Sequence, residues 1–384
     1  MKRVPPLVWG LLAFLLFIFV AAGPGAFTRL DVVFNWRTAN VLQMAMVVAV
    51  VWLAGVFRSV RWPDPDGRAR RIWNACGILA FLPLAMFVVQ GVTVQPAKIA
   101  AESATATDAV KLSLNAVMSA LGLGAPTVAV WLGIGLKLKA PAQYDLRAAA
   151  SGLWMLLRQL GPLCVIISGY AWMELVIGEP KQTADAALAA ADAALFGGRD
   201  PIALLEPLIS APLSEWMAFS YSFYAFLFPL AVGTVFYRLG ERGLEEVSTA
   251  VGFALLVAYV SYLLVPAVGP MFTKKYTVPL ELYWIRDVKE ALMDRLRIPW
   301  DCFPSMHTCI TLLLSFACWR HARGLFWATL PMVATIPIAC VYLRYHYVVD
   351  VLAGFALFVV IAALTRWRYP LQERRTALTA GTFR

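Results

Sequence analysis

Two of the three histidines in this chain fall in short polar stretches near its C-terminus, Phe303-Pro304-Ser305-Met306-His307-Thr308 and Tyr342-Leu343-Arg344-Tyr345-His346-Tyr347-Val348-Val349-Asp350. Imidazole is the side chain that changes charge near neutrality without help, and each stretch opens an apolar segment. His346 and Asp350 are four positions apart, a spacing that puts both on one face of a helix. A carboxylate bonded to one ring nitrogen holds the tautomer, leaves the other nitrogen free to attack and stabilises developing positive charge. Arg344, two residues earlier, offers a guanidinium for bidentate contact with phosphate oxygens.

The other stretch supplies a complementary half. Pro304 and Ser305 stand where a helix starts, at positions that favour Pro and a capping Ser. Free N–H groups at such a terminus attract anions. His307, in the first turn, is placed to protonate a leaving oxygen as a general acid. Together these groups describe phosphoryl transfer through a phosphohistidine with no metal or other cofactor. The two histidines and one carboxylate of these stretches do not by themselves make a full ligand set for a metal. His321, in Trp319-Arg320-His321-Ala322-Arg323, reads as packing at the other end of its segment, and Tyr342, Tyr345 and Tyr347 fit an interfacial aromatic belt.

The elements that must carry these residues are read from composition. The 384 residues are 61% hydrophobic and 15% charged, far below the quarter charged that soluble domains show. Ten segments, Leu7–Ala22, Val41–Phe57, Ile72–Val94, Ala116–Leu136, Leu160–Ile177, Trp216–Tyr237, Val247–Val268, Met306–Trp319, Leu325–Val341 and Val348–Thr365, approach or exceed the length a spanning helix needs. The expectation is an all-α, polytopic membrane bundle of about ten spans. Its parts are a four-helix extension over 1–150, a six-helix catalytic core over 151–368 and a basic tail over 369–384. With both termini cytoplasmic, 20 of the 33 basic residues fall on the inner side, as the positive-inside rule demands. That orientation puts His307 and His346 together at the extracytoplasmic face of the cell membrane. The net charge of +10 is then topology signal and contact with anionic headgroups, with no nucleic-acid partner implied.

Two outer loops have internal structure. Thr183–Phe196 is alanine-rich, with Asp185 and Asp192 spaced for one side of a short helix that Gly197-Gly198 ends. Between Gly269-Pro270 and Phe303, apolar residues from Leu282 to Leu296 recur at helical spacing. They predict an amphipathic helix on the membrane surface, either capping the bundle or guiding substrate. The six cysteines show no metal-ligand spacing, and Cys302, Cys309 and Cys340 are candidates to approach one another.

The stretches Phe303–His307 and Arg344–Asp350 resemble the second and third motifs of the type 2 phosphatidic acid phosphatase superfamily, and Phe303–His307 together with His346–Gly354 is most similar to its inositol phosphorylceramide synthase branch. The likeness runs from about Asp192 through Tyr221-Ser222-Phe223-Tyr224 and Pro266-Ala267-Val268-Gly269-Pro270 to Gly354. The resemblance implies His346 as nucleophile, Asp350 as its orienting partner, His307 as acid and then base, and Ser305 as a phosphate ligand. Two features depart from the superfamily pattern. Cys340 stands where an Arg is usual, six residues before the nucleophile, and the first motif (Lys, then Arg-Pro seven and eight residues on) is absent. Arg344, Lys274 and Lys275 are the candidate replacements. The implied activity is an inositolphosphotransferase-like transfer from a membrane phospholipid or sphingolipid. A phosphatase acting on phosphatidate-type monoesters shares the same first half-reaction. A non-catalytic transporter is the reading from another class.

Overall fold

The computed structural model describes residues 6–22, 158–163, 165–167, 169–283, 285 and 298–371. The described residues form helices and loops, in the order α1 (Pro6–Ala22), α2 (Tyr170–Ile177), α3 (Asp185–Leu195), α4 (Pro201–Leu205), a 3-10 turn (Glu206–Leu208), α5 (Ala211–Leu239), α6 (Glu241–Leu264), α7 (Pro270–Thr273), α8 (Met306–His321), α9 (Arg323–Tyr342) and α10 (Val348–Arg368). The expected spans Val41–Phe57, Ile72–Val94 and Ala116–Leu136, and most of the expected surface helix between Leu282 and Leu296, lie outside the described residues.

Helices α5, α6, α9 and α10 are long and apolar enough to cross a membrane. Each begins or ends within about six residues of its expected span. Their surfaces are apolar outward as well as inward: on α10, Leu352, Phe355, Val359, Val360 and Leu364 are each about half exposed, as on a face that meets lipid. Helix α8 is different. It is only 16 residues long, and Cys309, Ile310, Thr311, Leu313, Leu314, Ala317 and Cys318 bury nearly its whole circumference. A helix apolar on every side belongs at the centre of its bundle, and α8 packs against α5, α6, α9 and α10.

Tight reversals set the directions of these helices. Gly240, at φ 66°, ends α5 by donating its N–H to the Phe236 carbonyl at 2.7 Å and leads directly into α6. Ala322 alone separates α8 from α9. The chain therefore alternates, and the start of α5, the end of α6, the start of α8, the end of α9 and the start of α10 gather at one end. Ser214 and Tyr342 join their hydroxyls there at 2.9 Å. At the opposite end the buried Glu246 pairs with Arg320 at 2.6 Å and with His321 at 3.0 Å, and Arg320 also bonds the Tyr369 carbonyl. His321 thus belongs to a buried ion cluster far from the other two histidines. Helix α1 packs on α6, with Leu7 buried over Gly252.

The starts of α8 and α10 are drawn into backbone contact. The Ser305 N–H donates to the Asp350 carbonyl at 3.0 Å. A Cβ on Gly354 would stand 2.4 Å from the Ser305 carbonyl oxygen, so only glycine allows the approach. Gly354→Ala is expected to destabilise the fold by about 1–3 kcal/mol, the range for overpacking a close contact. A thermal unfolding series in detergent checks this against Gly324→Ala, which meets no atom within 4 Å and should leave the midpoint unchanged or raised.

Candidate active site

The nucleophile expected from sequence sits in a turn rather than on a helix. Leu343–Tyr347 links α9 to α10, and Arg344 adopts φ 67° there. This left-handed residue folds the chain back over the end of α9, so that Tyr345 and His346 both donate their N–H groups to the Cys340 carbonyl, at 3.0 and 3.1 Å. A non-glycine residue in that conformation costs on the order of 1–2 kcal/mol, and the Arg344 side chain is anchored correspondingly well. Its guanidinium lies 3.9 Å over the Tyr276 ring, bonds the Val278 carbonyl and pairs with Glu206 at 3.6 Å. Burial presses the Arg344 pKa downward, with Tyr276 and Glu206 opposing the shift. The residue expected to clamp phosphate is therefore engaged with Glu206 and the segment after α7.

His346 is buried, and its Nδ1 donates to the Cys302 carbonyl at 2.8 Å. A carbonyl oxygen only accepts, so Nδ1 carries the proton and Nε2 carries the lone pair. This differs from the expected arrangement, in which Asp350 holds the ring. Asp350 Oδ2 is 3.6 Å from Nδ1, beyond hydrogen-bond distance. The reason is local: Asp350 occupies the third position of α10 and its Oδ2 accepts the Tyr347 N–H at 2.7 Å and the Cys302 thiol at 3.0 Å. The carboxylate is engaged with the helix end, close enough to stabilise an imidazolium by charge but not to set its tautomer. Cys309, Cys318 and Cys340 are buried free thiols.

His307 projects from the first turn of α8 with its ring centroid 6.1 Å from that of His346. It stacks on Tyr221 at 4.4 Å and lies 5.0 Å from Tyr224. Tyr221 also stacks on Tyr345 at 4.8 Å, and its hydroxyl is 3.2 Å from His307 Nδ1. A column of rings, Tyr345, Tyr221 and His307, thereby sets the second histidine beside the first. The Tyr221 hydroxyl engages Nδ1, so Nε2 is the His307 nitrogen that a leaving group would meet, and the imidazolium form is the one able to give up a proton there.

Ser305 is fully buried and acts inside the protein: its Oγ accepts the Thr308 N–H at 3.4 Å and contacts Thr308 Oγ1 at 3.1 Å and Cys340 Sγ at 3.7 Å. It is the N-cap expected for α8, and it also ties the two motifs together. Lys274 pairs with Asp200 at 2.6 Å and lies 5.3 Å over the Tyr347 ring, at the edge of the site. Lys275 is exposed. Thus His307, His346, Asp350 and Ser305 meet at one end of the bundle, with Lys274 nearby, while Arg344 is turned toward Glu206 and the segment after α7.

Four supporting residues carried little or no assigned role in the sequence reading. Asp185 and Asp192 share one face of α3 as their spacing predicts, but that face is buried. Asp185 accepts the N–H groups of Val268 and Gly269 and the Tyr347 hydroxyl, at 3.0, 2.8 and 3.1 Å. Asp192 accepts those of Val348 and Val349, both at 2.9 Å. Burial pushes the Asp192 carboxyl up and these two N–H groups oppose it. The third is Cys302, whose carbonyl and thiol face the histidine and Asp350. The fourth is Tyr221. Only the seven-residue interval between the aspartates was a usable signal, since it marks one helical face without saying what covers it. Tyr342, Tyr345 and Tyr347 are all buried rather than arrayed at an interface, because their hydroxyls or ring faces find partners inside the protein.

Two substitutions test this geometry. Asp192→Asn removes one acceptor from two buried N–H groups and should destabilise the protein by about 1–3 kcal/mol, read as a lowered unfolding midpoint. Tyr221→Phe keeps the ring stack and removes the hydroxyl at His307. It should displace the limb of a pH–rate profile that reports His307, with activity at the optimum reduced about 2- to 13-fold, the equivalent of one hydrogen bond of 0.5–1.5 kcal/mol; an unchanged profile contradicts the assigned contact.

Neither a curated protein nor a solved structure matches the chain. Residues 186–364 do match the family model described as PAP2 superfamily, a stretch that starts in α3, ends in α10 and contains both histidine motifs.

Proposed function

We propose that this protein is a lipid-directed phosphotransferase of the PAP2 superfamily, working through a phosphohistidine on His346. The observation that carries the reading is the pairing of two histidines from separate helix starts, 6.1 Å apart, one with its Nδ1 hydrogen-bonded so that Nε2 is the nucleophilic atom. The superfamily match over both motifs supports it, and so do the apolar outer faces of the spanning helices, which put a lipid substrate within reach.

In the first half-reaction His346 Nε2 attacks phosphorus. As the P–N bond forms, the P–O bond to the leaving group breaks, and His307 delivers a proton to that oxygen. His346 is then a phospho-imidazole with Nδ1–H still on the Cys302 carbonyl, and Asp350 offsets the positive charge on the ring. In the second half-reaction His307, now unprotonated, removes the proton of an acceptor hydroxyl. The acceptor oxygen attacks phosphorus and Nε2 leaves. An alcohol acceptor makes the enzyme a transferase of the inositolphosphotransferase kind, and water makes it a phosphatase. In this reading the chain crosses the membrane about ten times with both termini inside, and the site opens on the extracytoplasmic side. The first 150 residues form an extension to a catalytic core of residues 151–368. Ser305, Lys274, Lys275 and Arg344 shape phosphate binding, Ser305 through the α8 start and Arg344 through the outer loop.

The test uses purified protein in detergent with radiolabelled phosphatidylinositol plus a hydroxylated lipid acceptor, and separately with labelled phosphatidate. A labelled headgroup product on the acceptor supports transfer; inorganic phosphate from phosphatidate, with no transfer product, supports the phosphatase instead. In either case His346→Ala should fall to background, and His307→Ala should lose about 10²–10⁴-fold. Turnover that survives His346→Ala overturns the mechanism.

A further inference from the structure

The buried back of the site holds a donor set that the proposed chemistry does not require. Cys302 Sγ, His346 Nδ1 and a carboxylate oxygen of Asp350 lie within 4.8 Å of one another, and all three residues are buried. The separations are 3.0 Å from Sγ to Oδ2, 3.7 Å from Sγ to Nδ1 and 3.6 Å from Nδ1 to Oδ2. A tetrahedral zinc ion, with bonds of about 2.3 Å to sulfur and about 2.0 Å to nitrogen and oxygen, sets its ligands about 3.3–3.5 Å apart. The match needs movements of only a few tenths of an ångström. A thiolate and a carboxylate together neutralise a divalent charge, and a thiolate with an imidazole favours Zn²⁺ over Mg²⁺ or Ca²⁺. Asp350 has acceptor capacity to spare: beside the Oδ2 that faces the thiol and the imidazole, its Oδ1 is buried and has no hydrogen-bond partner among the described residues.

We propose that Cys302, His346 and Asp350 form an inhibitory Zn²⁺ site built into the catalytic cluster. Binding breaks two hydrogen bonds, from the Cys302 thiol to Asp350 and from His346 Nδ1 to the Cys302 carbonyl. The thiol proton leaves to solvent as sulfur becomes a thiolate ligand. The imidazole stays neutral, so when the metal takes Nδ1 the ring proton moves to Nε2. The lone pair that would attack phosphorus is then occupied by that proton. Zinc therefore blocks the nucleophile by reversing its tautomer. The fourth coordination position is left to water or to a phosphate oxygen. The inhibition half of this inference rests on His346 being the nucleophile; the binding half does not.

The experiment is metal titration of the purified full-length protein in detergent, using a competing chromophoric chelator for Zn²⁺ and the thiolate-to-metal absorption band for Co²⁺. Wild type should bind one Zn²⁺ and show the thiolate band with Co²⁺. Cys302→Ser, which keeps a small hydroxyl donor beside Asp350, should bind Zn²⁺ at least about 100-fold more weakly, since even an outer-shell change costs 10–100-fold, and should lose the band. Cys302→Ala serves as the second variant, and a monodisperse elution profile establishes that each is folded. Lipid turnover by the wild type should fall with zinc occupancy and return on chelation, with Mg²⁺ having no effect. A thiolate band that persists in both variants, or no stoichiometric zinc in the wild type, overturns the site. Zinc bound with the Cys302-dependent signature in a protein that turns over no lipid phosphate leaves the site standing and sinks the catalytic reading alone.

Discussion

Two helix starts can present histidines to one another only when their backbones nearly touch, and here the contact is made at Gly354. The Ser305 carbonyl rests where a side chain on residue 354 would be, and the Ser305 N–H reaches the Asp350 carbonyl at 3.0 Å. Everything else in the site follows from that approach. It brings Cys302 beneath His346, so that a main-chain carbonyl rather than a carboxylate holds the imidazole. It also sets His307 beside His346, where Tyr221 braces it from α5. The glycine's lack of a side chain is thus a positional requirement of the chemistry.

A second constraint is the treatment of free N–H groups at the start of α10. A helix start with open N–H groups is a natural anion site, yet this one is closed. Asp192 takes Val348 and Val349, and Asp350 takes Tyr347. Carboxylates bound there stabilise the helix through its dipole, and they remove α10 as a phosphate cradle. The nearby cations are also engaged, Lys274 with Asp200 and Arg344 with Glu206. The electrostatics of the site are therefore those of paired charges. In the proposed mechanism, a phosphate arriving beside His346 and His307 would compete with Asp200 for Lys274 rather than meet a bare cation.

The two ends of the bundle are built on different physics. At one end, aromatic stacking and main-chain capping fix two imidazoles beside one another. At the other, Glu246, Arg320 and His321 form a buried charge cluster that ties α6 and α8 to the chain after α10. A buried ion pair contributes little net stability but penalises the loss of either partner. The same residue type thus has a structural place at one end and, in the proposed mechanism, a chemical one at the other. Helix α8 spans the distance between them.

Much of this was legible in the residues themselves. The apolar runs of α5, α6, α9 and α10 were readable because a spanning helix must satisfy its own backbone and wear apolar side chains outward. His307, His346, Asp350 and Ser305 were readable because their types and spacing are unusual in so apolar a chain. The partners of those residues were not. That Cys302 rather than Asp350 holds Nδ1 depends on a residue 44 positions away and on a carboxylate already engaged at a helix end. That Asp185 and Asp192 face inward, and that Arg344 turns toward the segment after α7, depends on which element packs against each, and local pattern does not encode that. The sequence determined which groups could do chemistry and that they belong to a membrane bundle. The tertiary structure decided which of them meet and which are engaged with one another, because hydrogen bonds and stacking are settled by distances between segments far apart in the chain.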